Sequence, residues 1–272
     1  MFFEQRPMVI KRLFRRSAPV AHAHTIPDGH RIYAVGDLHG RLDLLEMLLG
    51  EIRRDEACRP KARTLVIFLG DLVDRGPDSR GVIERLIRLR EEGTEAKFLL
   101  GNHDEVFLKA ASGDLKATRM LTRIGGRETI LSYGISPEEY QSCDFEELTK
   151  MLAGKVPARH IEFLSSFDDY AEVGDYLFVH AGVRPGVAIA EQSLADLRWI
   201  RHEFLGSKVS HERLVIHGHS ISDEVDVRSN RIGIDTGAFA SGRLTAIGLE
   251  GSDRWFLAAK GPADPRWDRL SD

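Results

Sequence analysis

The sequence predicts an α/β (α+β) fold in which two mixed β-sheets pack face to face and are flanked by helices. The first observation is that five short motifs rich in glycine, aspartate and histidine each follow directly on a run of mostly apolar residues. The second is a helical spacing of apolar residues between the first three runs, and the third is a series of short strand-like runs near the C-terminus. The five motifs are Gly36–Gly40, Gly70–Gly76, Gly101–Asp104, His180–Gly182 and His217–His219.

The first part of the core alternates strand and helix patterns. Apolar residues recur at helical spacing from Leu42 to about Glu56. Asp78 is placed to cap a second helix, which Gly93 would end. The order strand, helix, strand, helix, strand predicts parallel pairing with right-handed crossovers. The three predicted strands are Arg31–Val35, Thr64–Leu69 and Lys97–Leu100.

Residues 105–170 are a predicted helical insertion, because mostly polar helical stretches there are interrupted by glycines such as Gly113. Strand patterns resume at Tyr176–Val179 and Arg213–Ile216. The short runs after His219 are separated by turn residues, which predicts an antiparallel sheet. These runs are Glu224–Val227, Arg231–Asp235, Leu244–Leu249 and Trp255–Ala258.

Composition indicates a globular chain and excludes several classes of function. The 272 residues are 42% hydrophobic and 29% charged, which suffices for a sizeable core. A net charge of −4 gives no sign of a nucleic-acid partner. The two cysteines, Cys58 and Cys143, are too far apart to suggest a disulfide or a thiolate metal site. Without a membrane-spanning run or a secretory signal, a cytoplasmic location is expected.

The N-terminal residues differ from the rest. Met8–Arg16 has the spacing of a basic amphipathic helix, which could contact an anionic surface or a partner. A poorly ordered arm is the favoured interpretation, and His22 and His24 are expected to be solvated. The predicted organisation is an arm and linker over residues 1–29, a catalytic domain over 30–260 and a tail over 261–272.

Several motif side chains are of the types that bind divalent metals. Their oxygen and imidazole donors suit Mn²⁺, Fe, Zn²⁺ or Ni²⁺ better than Ca²⁺. There are more of them than one catalytic ion takes if it keeps an open position, so we expect two ions sharing one carboxylate. Asp71 is the natural bridge. The candidate ligands are Asp37, His39, Asp71, Asn102, His180 and His219.

The charge balance of such a centre predicts its substrate. Two divalent ions outweigh the charges of Asp37 and Asp71, and Arg75 adds a further positive charge. A phosphomonoester dianion would fit this surplus, and a hydroxide bridging the metals could attack it in line.

Three more motif residues have side chains that can protonate the leaving group or bind the phosphate. His103 adjoins Asn102 and can donate a proton to the leaving alkoxide, while Asp74 orients its ring. Arg75 can bind phosphate oxygens bidentately.

In their order, GDLHG, GDLVDRG, GNHD, HAG and HGH resemble the motifs of the metal-dependent phosphoprotein phosphatases, especially the bacterial and phage type. That family belongs to the calcineurin-like metallophosphoesterase superfamily, so the resemblance implies a helix-flanked β-sandwich with a dimetal site at strand C-terminal ends. It also implies two metal sites joined by a shared aspartate. The implied ligands are Asp37, His39 and Asp71 for the first ion, and Asp71, Asn102, His180 and His219 for the second.

The same resemblance implies further roles. It makes His103 the proton donor with Asp74 as its partner. It makes Arg75 a phosphate ligand together with Asn102, and Arg201 of the Trp-Ile-Arg segment is the candidate second phosphate arginine. Asp104 stands where eukaryotic members usually have glutamate, and Asp235 is interpreted as a turn residue or a support behind the ligands rather than a ligand.

Three functions remain as hypotheses. The leading one is a manganese-dependent serine/threonine protein phosphatase acting on a phosphorylated protein or peptide. The alternative is a symmetrical dinucleoside polyphosphate hydrolase acting on diadenosine tetraphosphate. Bacterial members of that group tend to have Ala-Arg where this chain has Asp74-Arg75, so Asp74 favours the phosphatase. The third, an inactive binding module, conflicts with the presence of every expected ligand.

Overall fold

Residues 24–264 are described in the computed structural model of the chain. The predicted amphipathic helix Met8–Arg16 and His22 therefore lie outside the described residues. His24, expected to be solvated, is half-buried, and its ring centroid lies 6.0 Å from that of Tyr176.

Two five-stranded sheets form the centre of the molecule. The strands are β1 His30–Val35, β2 Arg63–Phe68, β3 Ala96–Phe98, β4 Tyr170–Val173, β5 Tyr176–Val179, β6 Leu214–His217, β7 Asp226–Val227, β8 Arg231–Gly233, β9 Arg243–Glu250 and β10 Asp253–Lys260. The first sheet has the order β10-β9-β1-β2-β3, and the second has the order β4-β5-β6-β8-β7. In the first sheet β1, β2 and β3 are parallel and β9 and β10 are antiparallel. In the second, β5, β6 and β8 are parallel, with antiparallel β4 and β7 at the edges.

Strand β1 shows why the sheets lie in the interior. Ile32 and Ala34 face the second sheet and belong to the apolar layer between the two sheets. Tyr33 and Val35 point to the other side and pack against helices. Because both faces are covered, the last four residues of the strand are apolar without interruption instead of alternating with polar residues.

Helices cover the outer faces of both sheets. They are α1 Leu42–Ala57, α2 Ser79–Glu91, α3 Asn102–Ala111, α4 Leu115–Arg123, α5 Arg127–Ser132, α6 Pro137–Ser142, α7 Phe145–Lys155, α8 Ala158–Ser165, α9 Leu194–Trp199, α10 His202–Leu205 and α11 Ala238–Ser241, with a 3₁₀ turn at Ile189–Glu191. Asp78 caps α2 by accepting a hydrogen bond from the Gly81 N–H at 2.7 Å, and Gly93, with φ +87°, follows its end. Both features are as predicted. The architecture of two mixed, helix-flanked sheets is thereby confirmed.

The last strands depart from the prediction of a single antiparallel sheet. β7 and β8 extend the second sheet, whereas β9 and β10 extend the first. Helix α11 carries the chain across, and the glycines at its two ends, Gly237 and Gly242, have φ of 66° and 70°. These left-handed conformations turn the chain sharply on either side of α11, so neighbours in sequence enter different sheets.

Smaller differences concern single strands. The predicted strands Glu224–Val227 and Arg231–Asp235 are shorter in the structure, and β4 was not predicted. β6 begins and ends one residue later than predicted, so His217 of the fifth motif lies inside the strand.

Candidate metal centre

The five motifs meet at one end of the two sheets. Asp37 follows β1, Asp71 follows β2, and Asn102 begins α3 just beyond β3. His180 follows β5 and His219 follows β6. Since β1, β2 and β3 are parallel to one another, as are β5 and β6, the side chains leave the carboxyl ends of strands in both sheets.

Asp71 lies at the middle of this cluster. Its Oδ2 is 3.7 Å from His39 Nε2 and 4.0 Å from His103 Nε2, and its Oδ1 is 3.4 Å from His180 Nε2. Two buried groups of possible ligand atoms share Asp71, one with His39 and His103 and one with His180 and His219, and within each group the atoms lie within 4.8 Å of one another. The geometry therefore suits two cations that share one carboxylate.

Backbone carbonyls fix two of the imidazoles in the form that binds metals. His39 Nδ1 lies 2.7 Å from the Val73 carbonyl oxygen, and His180 Nδ1 lies 2.8 Å from that of Leu69. A carbonyl can only accept, so each Nδ1 carries the proton and each Nε2 presents its lone pair to Asp71.

Three hydrogen-bond acceptor atoms, one of them on His180, lie close together, and none of the three carries a proton. His180 Nε2 lies 3.0 Å from Asn102 Oδ1 and 3.4 Å from Asp71 Oδ1. With the proton on Nδ1, all three atoms offer lone pairs and repel one another. A cation placed among them would reverse that repulsion, so these residues fit the metal that the donor set implies.

The protonation of the histidines agrees with this fit. Burial is the main cause that lowers the pKa of His39 and of His180, and it lowers the pKa of His219 to about 2. Neutral imidazole, the form that binds metals, is therefore the stable form of all three.

Buried carboxyl groups crowd the other side of the centre. Asp37 accepts hydrogen bonds from the His219 N–H at 3.0 and 3.2 Å. Burial and the nearby carboxyls of Asp235 and Asp71 raise its pKa. Burial likewise raises the pKa of Asp235 to about 6, and among the described residues Asp235 Oδ2 has no hydrogen-bond partner. A divalent cation would offset this accumulation of negative charge.

His103 and Asp74 form a buried pair beside the cluster. His103 Nδ1 lies 2.7 Å from Asp74 Oδ2, and both side chains are buried. Burial lowers the pKa of His103, but the charge of Asp71 and the hydrogen bond that His103 donates to Asp74 outweigh it, so its pKa is raised. The pair therefore favours a proton on His103, which suits a proton donor.

Two arginines lie against the imidazoles. Arg75 directs Nη1 to His39 Nε2 and Nη2 to His103 Nε2, both at 3.1 Å. Arg201 donates from Nε to His219 Nε2 at 2.9 Å. Both guanidinium groups thus border the place where the candidate ligands meet.

The backbone of the centre is held in an uncommon conformation. In residues 24–264, the non-glycine residues with φ in the left-handed region all belong to this site. Conformations of this kind cost free energy and concentrate where a site imposes its own geometry. The φ angles are 43° at His39, 50° at Asp71, 75° at Asp74, 67° at Arg75 and 63° at His219.

Asp104 ties two of the motif loops together. Its Oδ1 accepts from the Leu72 N–H at 2.9 Å and its Oδ2 from the Gly101 N–H at 3.3 Å. Burial raises the pKa of Asp104 to about 8. Through these two bonds Asp104 supports the loops of the second and third motifs.

The structure brings all the predicted site residues together and adds two that the motifs did not indicate. Thr129 contacts Asp74 from the helical insertion, with no pattern around it beyond the preceding glycine pair. Phe239 of α11 lies edge-on to His39, 5.2 Å between centroids, and its ring lies 4.6 Å from the Arg75 guanidinium. No local signal distinguishes it from an ordinary core aromatic residue.

Within residues 24–264, no helix combines the length and the apolar composition that crossing a bilayer requires.

Comparison with known proteins gives a family match and named relatives. The sequence model of the calcineurin-like phosphoesterases matches residues 30–240. A symmetrical bis(5'-nucleosyl)-tetraphosphatase of Acidovorax sp. (strain JS42) is 35% identical over 164 residues, which are 60% of this chain and 48% of that protein. The asymmetrical bis(5'-nucleosyl)-tetraphosphatase PrpE of Anoxybacillus flavithermus is 26% identical, with 78% of this chain and 88% of that protein covered.

A solved structure described as that of a proposed diadenosine tetraphosphatase superposes with a TM-score of 0.60. The superposition covers 89% of this chain and 100% of the solved chain. At 21% sequence identity, the likeness shows a shared fold. The chain spans about half the length of the first symmetrical relatives that it matches.

Proposed function

The chain belongs to the calcineurin-like phosphoesterase family, and from this premise we propose that it is a metal-dependent hydrolase of dinucleoside polyphosphates. The observation that supports this class of substrate is the similarity to proteins named as symmetrical bis(5'-nucleosyl)-tetraphosphatases. Cleavage at the centre of a tetraphosphate chain would give two nucleoside diphosphates.

The metal ligands in this proposal are those that converge in the structure. Asp37, His39 and Asp71 would hold one ion, and Asp71 would share the second with the remaining ligands, Asn102, His180 and His219. Manganese is the ion we propose. When bound, the ions would supply Lewis-acid polarisation of the phosphoryl oxygens and a water of lowered pKa.

The arginines are compatible with a substrate that has more than one phosphoryl group. Arg75 borders the cluster at His39 and His103, whereas Arg201 borders it at His219. Each guanidinium can bind two phosphate oxygens, so the two together can contact neighbouring groups of a polyphosphate chain.

The acid pair favours a second candidate, a serine/threonine protein phosphatase. The 2.7 Å bond between His103 and Asp74 equips the site to protonate a leaving group. A nucleotide leaving from an anhydride is already a stable anion and needs little protonation. An alkoxide leaving from phosphoserine is a strong base and needs a proton, so a complete pair is of most use with a phosphorylated protein or peptide.

A side-by-side assay separates the two candidates. The manganese-loaded protein would be given diadenosine tetraphosphate and a panel of phosphoserine and phosphothreonine peptides. We expect a kcat/KM at least about tenfold higher for the dinucleotide, a difference of ~1.4 kcal/mol in transition-state binding. Chromatography should find ADP as the sole nucleotide product.

Two other outcomes count against the proposal. A preference for the peptides would select the protein phosphatase, and AMP with ATP would show asymmetrical cleavage. Hydrolysis of neither class by protein with its full metal content would overturn both candidates.

A further inference from the structure

One segment of the helical insertion reaches the loop that carries the acid pair. Thr129 Oγ1 accepts a hydrogen bond from the Asp74 N–H at 2.8 Å and donates one to Asp74 Oδ1 at 2.8 Å. The other carboxylate oxygen, Oδ2, lies 2.7 Å from His103 Nδ1. Asp74 is thus held between the imidazole on one side and the threonine hydroxyl on the other.

The network around this hydroxyl is closed. Ser79 Oγ lies 2.8 Å from Thr129 Oγ1 and accepts from the Asp74 N–H at 3.1 Å. Thr129 uses its proton on Asp74, so Ser79 donates to Thr129, and the Asp74 N–H is shared between the two hydroxyl oxygens. Thr129, Ser79 and Asp74 are each fully buried, so no water competes for these bonds.

The same segment also contacts the neighbouring arginine. The Gly125 carbonyl oxygen accepts from the Arg75 N–H at 2.9 Å. A Cβ at Gly125, where φ is +104°, would lie 2.8 Å from Arg75 Cγ. Residues 125–129 therefore hold both members of a left-handed backbone pair, Asp74 and Arg75, whose conformation is costly without such support.

We propose that Thr129 is a positioning residue for phosphoester cleavage, acting on His103 through Asp74. This inference rests on the proposed function in one respect, the use of His103 as proton donor to a basic leaving group, which the protein phosphatase candidate needs most and a nucleotide anhydride needs little. The Thr129 hydroxyl fixes the plane of the Asp74 carboxylate, and that plane fixes the direction of the His103 ring. Without the hydroxyl the carboxylate can rotate, and His103 Nε2, the nitrogen that would deliver the proton, no longer points steadily at the leaving oxygen.

The test compares Thr129→Val with Thr129→Ser. Valine keeps the shape and removes the hydroxyl, whereas serine keeps the hydroxyl. With the metal-loaded enzyme we expect Thr129→Val to lower kcat about tenfold or more on alkyl phosphates, part of the 10²–10⁴ that a general acid supplies. On p-nitrophenyl phosphate, whose leaving group needs little protonation, kcat should change far less. KM should stay nearly constant, and Thr129→Ser should restore most of the loss.

A second readout needs no turnover. The proton on His103 Nδ1, hydrogen-bonded to Asp74, should give a downfield proton resonance in the metal-free protein, which His103→Asn would identify by removing it. We expect Thr129→Val to shift or broaden this resonance and Thr129→Ser to return it. Metal content should be unchanged in both variants.

Thr118→Val is the matched control. Thr118 is a fully buried threonine of the same insertion, and within residues 24–264 its hydroxyl bonds only to the Asp114 carbonyl oxygen and the Thr149 hydroxyl. The inference is overturned if Thr129→Val leaves both the leaving-group dependence and the resonance as in the wild type, or if Thr118→Val reproduces the effects. A wild-type protein that cleaves neither diadenosine tetraphosphate nor a phosphoester contradicts the proposed function instead, while the resonance still reports on Thr129.

Discussion

At the scale of single residues, the role of His103 is the point on which the proposed chemistry can be tested most directly. His103 Nε2 lies within reach of Asp71, in a group that could also ligate a cation, and its Nδ1 is bonded to Asp74. A residue tied to a carboxylate through one nitrogen can serve either as a ligand or as a proton donor.

Replacing His103 with asparagine separates these roles. If His103 is the donor, kcat on alkyl phosphates should fall about 10²–10⁴-fold while the protein keeps its metal, because only proton transfer is lost. Steady-state kinetics and elemental analysis measure the two effects. A matching loss of metal would make His103 a ligand.

Arg75 is expected to bind the transferred phosphoryl group. Its guanidinium contacts His39 and His103 and lies over the Phe239 ring. In Arg75→Ala we expect the transition-state stabilisation calculated from kcat/KM to fall by about 1.5–3 kcal/mol, the range for hydrogen bonds to charged groups. Arg75→Lys should recover only part of this because an ammonium cannot bind two oxygens in a fork. Weaker inhibition by inorganic phosphate should accompany the loss, and unchanged kinetics would remove Arg75 from the site.

Residues inside the motifs could be predicted because their chemistry and their position after a strand are both local. Asp71 lies three residues beyond the end of β2, and nothing else needs to be known to place it at the sheet edge. Thr129 and Phe239 could not be predicted, since their contacts depend on how the chain returns to the site after α4 and after β8.

At the scale of elements, the distinction between local signals and long-range contacts explains which parts of the fold could be predicted. The helix α2 was predictable from Asp78 and Gly93, which act on their own neighbours. The separation of β8 from β9 was not, because α11 moves the chain from one sheet to the other and the pattern of short strands is the same in either case. Sheet membership depends on long-range pairing, which hydrophobic alternation does not encode.

Strand β6 carries a pH-sensitive element. His217 is 1% exposed, and its Nε2 has no hydrogen-bond partner among the described residues. Burial lowers its pKa to about 4. As the pH falls, His217 of the unfolded chain takes up a proton near pH 6.5, before His217 of the folded protein does. The contribution of His217 to the free energy of unfolding is therefore complete above pH 6.5 and is lost as pH falls toward 4.

This predicts a difference between the wild type and His217→Leu. Between pH 6.5 and pH 4 the free energy of unfolding of the metal-free wild type should fall by about 3 kcal/mol more than that of the variant, in proportion to the pKa difference. Urea denaturation at several pH values measures it. Parallel pH profiles would show that His217 does not contribute.

At the scale of the whole molecule, the candidate centre joins the two sheets. Asp37 and Asp71 come from strand ends of the first sheet, and His180 and His219 come from those of the second. Two cations that share Asp71 would together link the layers across the apolar interior, in addition to any role in chemistry.

Metal binding should therefore raise thermal stability. At about 100 times the dissociation constant a single ion adds ~2.7 kcal/mol to the folded state, so calorimetry with added Mn²⁺ should show a higher Tm that chelation reverses. Asp71→Asn should lose most of the rise because both ions lose a charged ligand. Asp144→Ala, a change at the N-cap of remote α7, should lower the starting Tm and keep the full response. An equal response in both variants would place the ions elsewhere.

The left-handed backbone at Arg75 has a consequence for laboratory evolution. Glycine there would relieve about 1–2 kcal/mol of unfavourable conformation and retain the peptide contact to Gly125. Screening mutants for heat resistance alone would select that exchange and yield more stable proteins that lack the arginine proposed to bind phosphate. Any stabilisation campaign on this scaffold should score turnover alongside melting.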